Sequence, residues 1–187
     1  MAKLVSKVYG DALFEESIEK QSVDTLFSEV KALLAIWREN PELAELLDNP
    51  KIVKEEKIGI MTNIFAGRVS DDLMGFLAVI VDKGRQKDIP AICTYFIDTV
   101  KEYKKIGVAR VASAVELKSE QKAMIEQRLL DTTQYVEFEM VYSVDPSLIG
   151  GLVIRIGDRV VDSSIKTQIN ELHRSLSKLQ LSEQIER

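Results

Sequence analysis

The side chains able to do chemistry are few and scattered along the 187 residues. The single histidine, His173, stands beside Leu172 near the end of the chain. A general base or a ligand needs partner groups around it, and a partly exposed surface histidine is the simpler reading. The single cysteine, Cys93, falls in an apolar helical stripe, where a buried inert thiol is expected rather than a nucleophile. No Cys/His spacing fits zinc. Gly150, Gly151 and Gly157 invite a phosphate-loop reading, but such loops open a helix, and here a strand of apolar residues follows. The carboxylate pairs Glu15-Glu16 and Asp71-Asp72 are neighbours in sequence and point apart on a helix, so they read as solvated, dipole-compensating charges. No catalytic residue, metal ligand or cofactor site is expected.

Composition narrows the classes further. Hydrophobic residues make up 45% and charged residues 29%, which favours a globular chain over long disorder. The formal net charge is −5. Residues 1–105 hold 15 basic and 18 acidic side chains, and residues 106–187 hold 10 and 12, so neither half is basic. A nucleic-acid partner needs a phosphate-neutralising patch, and the acidic balance also disfavours docking on anionic lipid. One cysteine allows no intrachain disulfide. No apolar run reaches the roughly 18 residues of a membrane span, so contact with a membrane is expected only through other proteins. The Met1-Ala2-Lys3 opening reads as an unprocessed bacterial start, without an Arg- and Ser-rich leader.

The elements that must position these residues divide by period. Residues 4–105 predict six helices, with Ser22 and Ser70 as N-caps, Pro41 and Asp48-Asn49-Pro50 as breaks, and Gly84 and Gly107 as C-terminal stops. The fifth helix is apolar on two faces: Leu73, Phe76, Leu77 and Ile80 on one, Met74, Ala78 and Val81 on another, with Val79 between. A helix apolar all round is buried on every side or covers a partner on one. After Gly107 the period falls to about 2. Val108 to Val115 predicts a strand, Ser119 caps a helix to about Thr132, and Val136, Phe138, Met140, Tyr142 and Val144 mark the inner face of a half-buried strand. Two short strands and a last helix follow. The expected fold is α+β: a six-helix N-terminal bundle, 1–105, then a strand-helix-strand-strand-strand-helix domain, 106–187. The last helix carries Ile165, Ile169, Leu172, Leu176 and Leu179 at 4, 3, 4, 3 spacing, a seam that suits either its own sheet or a partner helix.

These residues resemble the delta subunit of bacterial F-type ATP synthase, the counterpart of the mitochondrial oligomycin-sensitivity-conferring protein. The family's C-terminal signature is matched by Met140, Val144, Asp145, Leu148, Gly150-Gly151, Leu152, Ile154, Arg155 and Gly157. Asp162-Ser163-Ser164-Ile165 is similar to the entry into its last helix. Tyr9 with Ala12-Leu13-Phe14 resembles its N-terminal opening, with Gly10 where alanine is usual, and Val81-Asp82-Lys83-Gly84-Arg85 is similar to the segment after its fifth helix.

The resemblance implies a non-catalytic stator part, one copy per complex, on the cytoplasmic face of the membrane. Its helical domain would bind the N-terminal helices of the alpha subunits. Its α+β domain would bind the C-terminal helices of the b subunits. On that footing Tyr9, Leu13, Phe76, Val79 and Lys83 are the expected contacts for the alpha helix, and Ile169, Leu172 and Leu176 those for b. A free-standing helix-binding adaptor is the alternative; an enzyme with a cleft between its domains is the less favoured third reading.

Overall fold

A computed structural model describes residues 2–65 and 67–174 of the chain. The fold is α+β and divides into two compact units, Met1–Tyr103 and Lys104–Arg187. The first contains α1 (Ala2–Glu19), α2 (Val23–Glu39), α3 (Pro41–Asp48), α4 (Lys54–Phe65), α5 (Asp71–Asp82) and α6 (Ile89–Tyr103). Their shared core includes Leu26, Val30, Leu33, Leu47, Phe65, Leu77, Ile92 and Phe96, each with its side chain out of water.

Local chemistry explains several of the helix ends. Pro41 opens α3 at a position where its missing N–H costs nothing. Ser70 caps α5: its Oγ accepts from Leu73 N at 3.4 Å and donates to Glu29 Oε2 at 2.7 Å, tying α5 to α2. Gly84 ends α5 at φ 67°, with Gly84 N donating to Val81 O and Arg85 N to Ile80 O, both at 2.9 Å. That pair of bonds is a Schellman ending, and the left-handed residue in it favours glycine.

Three capping expectations change. Ser22 stands at the N-cap of α2 but makes no side-chain cap bond, because its backbone (φ −108°, ψ 16°) is not the extended conformation that aims a cap hydroxyl at the helix. Ser119 is the first helical residue rather than the cap, and Lys118 N donates to Gln121 Oε1 at 2.9 Å instead. Gly107 does not end α6. That helix stops at Tyr103, Lys105 takes the positive φ of 56°, and Gly107 lies within a strand, where a Cβ would strike the rings of Phe138 and Tyr135.

α1 packs most extensively against α6, and it does so through an unusual stripe. Its buried positions are Ser6, Gly10, Leu13 and Ser17, while Leu4, Val8 and Ile18 are exposed. Small residues bring the two helices close. The ring of Tyr95 from α6 lies on Gly10, and its hydroxyl donates to Asp11 Oδ1 at 2.9 Å, a bond that holds the phenol above its ordinary range.

The second unit contains β1 (Ile106–Ser113), α7 (Ser119–Thr132), β2 (Glu137–Val144), β3 (Leu152–Ile156), β4 (Arg159–Asp162) and helical residues 165–174, here α8. The sheet order is β2-β1-β3-β4; β1 and β2 are parallel, and the other pairs are antiparallel. The parallel pair needs a crossover, which α7 supplies. Ala109, Leu129 and Phe138 form the centre of this core, with Ile125, Met140, Ile154 and Ile156 against them. Of the alternating residues Phe138, Met140 and Tyr142 are buried or half-buried; Val136, just before β2, and Val144, its last residue, are exposed.

The Tyr95 ring leaves no room for a methyl group at position 10. Gly10→Ala should therefore destabilise the chain by about 1–3 kcal/mol, although alanine is the better helix former. Urea unfolding measures this, and the loss should shrink when Tyr95→Leu is already present.

Candidate helix-docking surfaces

In the first unit, α1 and α5 lie beside each other without close packing and leave a groove of about 510 Å³. Val8, Tyr9, Ala12 and Glu16 form one wall; Asp71, Asp72, Gly75, Phe76 and Val79 form the other. Two contacts bridge the walls. The rings of Tyr9 and Phe76 meet edge to face, with centroids 6.4 Å apart. Lys20 Nζ holds Asp72 Oδ1 at 2.5 Å and Glu16 Oε1 at 2.8 Å, and these carboxylates, Asp72 first, raise its pKa. The groove therefore has an apolar stretch at Val8 and Val79 and an acidic end at Glu16, Asp71 and Asp72. Val8 is 59% and Val79 50% exposed, so water covers apolar surface that a partner could cover instead.

Tyr9, Phe76 and Val79, singled out from the sequence, meet in this groove. Leu13 and Lys83 do not. Leu13, one turn after Tyr9, is 1% exposed and belongs to the core, so it supports the wall but cannot touch a docked helix. Lys83 is the C-cap of α5, one turn beyond Val79, and its Nζ lies 3.7 Å from Asp82 Oδ2. Val8, Ala12, Glu16, Asp71, Asp72 and Gly75 line the groove without having been singled out from the sequence. The spacing of Val8, Ala12 and Glu16, one helical turn apart, was the available signal.

In the second unit, the double glycine positions the start of α8. A Cβ on Gly150 would strike Ile165, and one on Gly151, at φ 74°, would strike the Ser163 carbonyl. Ser163 N donates to Leu152 O at 2.9 Å and Ile165 N to Gly150 O at 3.0 Å. The glycines thus let the 163–165 segment lie directly on the backbone of the 150–152 segment. Ser164 then caps α8: its Oγ accepts from Thr167 N at 3.2 Å. Asp162 accepts from Ser164 N and from the Thr167 hydroxyl, each at 2.8 Å. Ile165, Ile169 and Leu172 follow on α8 and are 41%, 52% and 61% exposed; their own sheet leaves much of the seam open. Val160 and Val161 of β4 are exposed as well. Leu176 lies outside the described residues.

Cys93 is buried, and burial pushes its thiol up to about 12. Among the described residues, no cluster of three or more His, Cys, Asp or Glu is placed to hold a metal ion, and no helix is long and apolar enough to cross a membrane.

The helical unit thus offers an apolar groove and the second unit an open apolar helix face. The chain belongs to the ATP synthase delta (OSCP) subunit family, whose profile matches residues 5–176. It is 55% identical to "ATP synthase subunit delta" of Lachnoclostridium phytofermentans over 97% of this chain and 100% of that one. It is 37% identical to the protein of the same description from Prochlorococcus marinus strain MIT 9312, covering 93% and 97%, and 34% identical to that of Alkaliphilus oremlandii, covering 96% and 99%. A chain in the cryo-EM structure of the Toxoplasma gondii mitochondrial ATP synthase hexamer shares the fold, with a TM-score of 0.72 over 91% of this chain and 96% of that chain, at 16% identity.

The Ser164 hydroxyl and N–H and the Thr167 hydroxyl hold the Asp162 carboxyl below its ordinary range, and Ser147 does the same for Asp145. The stability these carboxylates contribute is complete above an unfolded value of about 3.9 and is lost as pH falls through the lowered folded values. Carboxyl-carbon NMR titration should place both midpoints below that of a free aspartate. Asp162→Ala should make unfolding less steeply dependent on pH below about 4.

Proposed function

We propose that this chain is the non-catalytic joint between the catalytic head and the peripheral stalk of an F-type ATP synthase. Stator work fits the family, and the physical demand is plain: a joint under cycled torque must not dissociate. A nanomolar contact corresponds to roughly −12 kcal/mol, and an amphipathic helix laid in an apolar groove is a known way to reach that range.

The α1/α5 groove takes the N-terminal helix of an alpha subunit, with Tyr9, Phe76 and Val79 as contacts and Leu13 as support beneath α1. Lys83 stands just past the groove, placed to meet the end of a helix longer than the groove itself. The open seam of α8, with Ile169 and Leu172 and continuing toward Leu176, takes the C-terminal helices of the b subunits. The protein then holds the head against rotation and needs no reacting group of its own. Its position is at the cytoplasmic face of a bacterial membrane, reached through the b subunits. The observation that carries this reading is the exposed apolar surface at Val8 and Val79 beside the edge-to-face pair Tyr9–Phe76.

Val79→Asp should weaken binding of a synthetic alpha N-terminal peptide about tenfold or more, since it sets a charge in the apolar stretch. The melting temperature should stay near wild type, because Val79 is half exposed. Ile169→Asp with Leu172→Asp should abolish capture of the b subunits from detergent-solubilised membranes and leave binding of the alpha peptide intact. Retained affinity in either folded variant would remove that surface from the joint.

A further inference from the structure

Gly75 sits in the interior of α5, exposed, with nothing within 4 Å of where a Cβ would stand. A glycine in that setting weakens a helix relative to alanine, and no packing within the chain requires it. Gly59 of α4 is equally unencumbered but is not part of the groove. Gly75 lines it, and so does Ala12, the smallest side chain on the α1 wall. These two small residues lie between the apolar stretch at Val8 and Val79 and the acidic end at Glu16 and Asp71. Asp71 is one helical turn before Gly75, and Val79 one turn after.

We infer that Gly75 and Ala12 form a socket that fixes the register of the docked alpha-subunit helix by accepting one large apolar side chain. The charge beside the socket completes the recognition pattern. The charged residues lining the groove are all carboxylates, Lys20 offsets only part of their charge, and Asp71 is exposed. The docked helix therefore carries a basic residue three or four positions from its socket residue, on the same face. This inference rests on the groove being the alpha-subunit site and adds which feature of the helix is read there. It also gives α5 a reason to tolerate a glycine: the helix gives up some stability to admit the partner.

The test titrates the full-length chain with a synthetic peptide of the alpha subunit's N-terminal segment by isothermal calorimetry. Gly75→Ala and Gly75→Leu should melt at or above the temperature of the wild-type chain. Filling the socket with Gly75→Leu should weaken the peptide roughly tenfold to a hundredfold, the scale of overpacking a well-fitted site. Among peptides whose large apolar residues are trimmed singly to alanine, one should bind Gly75→Leu more tightly than it binds wild type, the coupling expected of residues in contact. Unchanged affinity in Gly75→Leu, or a loss shared equally by every trimmed peptide, would overturn the socket and leave the groove as the alpha site. Failure of the parent peptide to bind the wild-type chain would overturn the alpha assignment itself, and the socket with it.

Discussion

The close approach of α1 to α6 is the constraint on which the first unit depends. The side of α1 that faces the core is Ser6, Gly10, Leu13 and Ser17, and only one of these is large and apolar. Small residues let Tyr95 of α6 lie across Gly10. The consequence appears on the other side of α1, where Leu4 and Val8 stay in water because the inward stripe is already filled. α5 has surplus apolar surface of its own, and its contacts to α1 are an aromatic edge and a lysine clamp rather than a packed seam. A groove is what remains when two helices are held side by side but not packed together.

The second unit solves a different problem with the same device. A helix must leave the sheet close to the turn that precedes β3, and Gly150 and Gly151 remove the two side chains that would block it. Asp162 and Ser164 then satisfy N–H groups at the start of α8, which begins with its apolar seam largely exposed. In both units glycine admits a close contact, and in both large apolar residues stay exposed nearby. Stability and recognition are therefore coupled through a few small residues.

Much of this was legible in the sequence. The change of period near residue 106, the glycine stop at Gly84 and the serine cap at Ser70 are local signals that tertiary contacts leave intact. Two of the failures share a cause. Leu13 belongs to the core and Val8 to the surface, yet both are apolar positions of one helix, and composition alone cannot say which stripe turns inward when the inward one is made of serine and glycine. Gly107 looked like a helix stop because the ring of Phe138, distant in sequence, supplies the real reason for a glycine there. Gly75 carried no local signal, since its role lies in the space it leaves open.

One groove, between α1 and α5, is proposed to receive the alpha-subunit helix while α8 and its sheet remain available to the stalk. Methyl-resolved cross-saturation NMR tests it most directly: the full-length chain is methyl-labelled in a deuterated background, and an unlabelled alpha N-terminal peptide is irradiated. Saturation should reach the methyl groups of Val8, Ala12 and Val79 and leave those of Leu13, Ile165, Ile169 and Leu172 unchanged. Saturation that instead falls on Ile169 and Leu172, with Val8 and Val79 silent, would contradict the account.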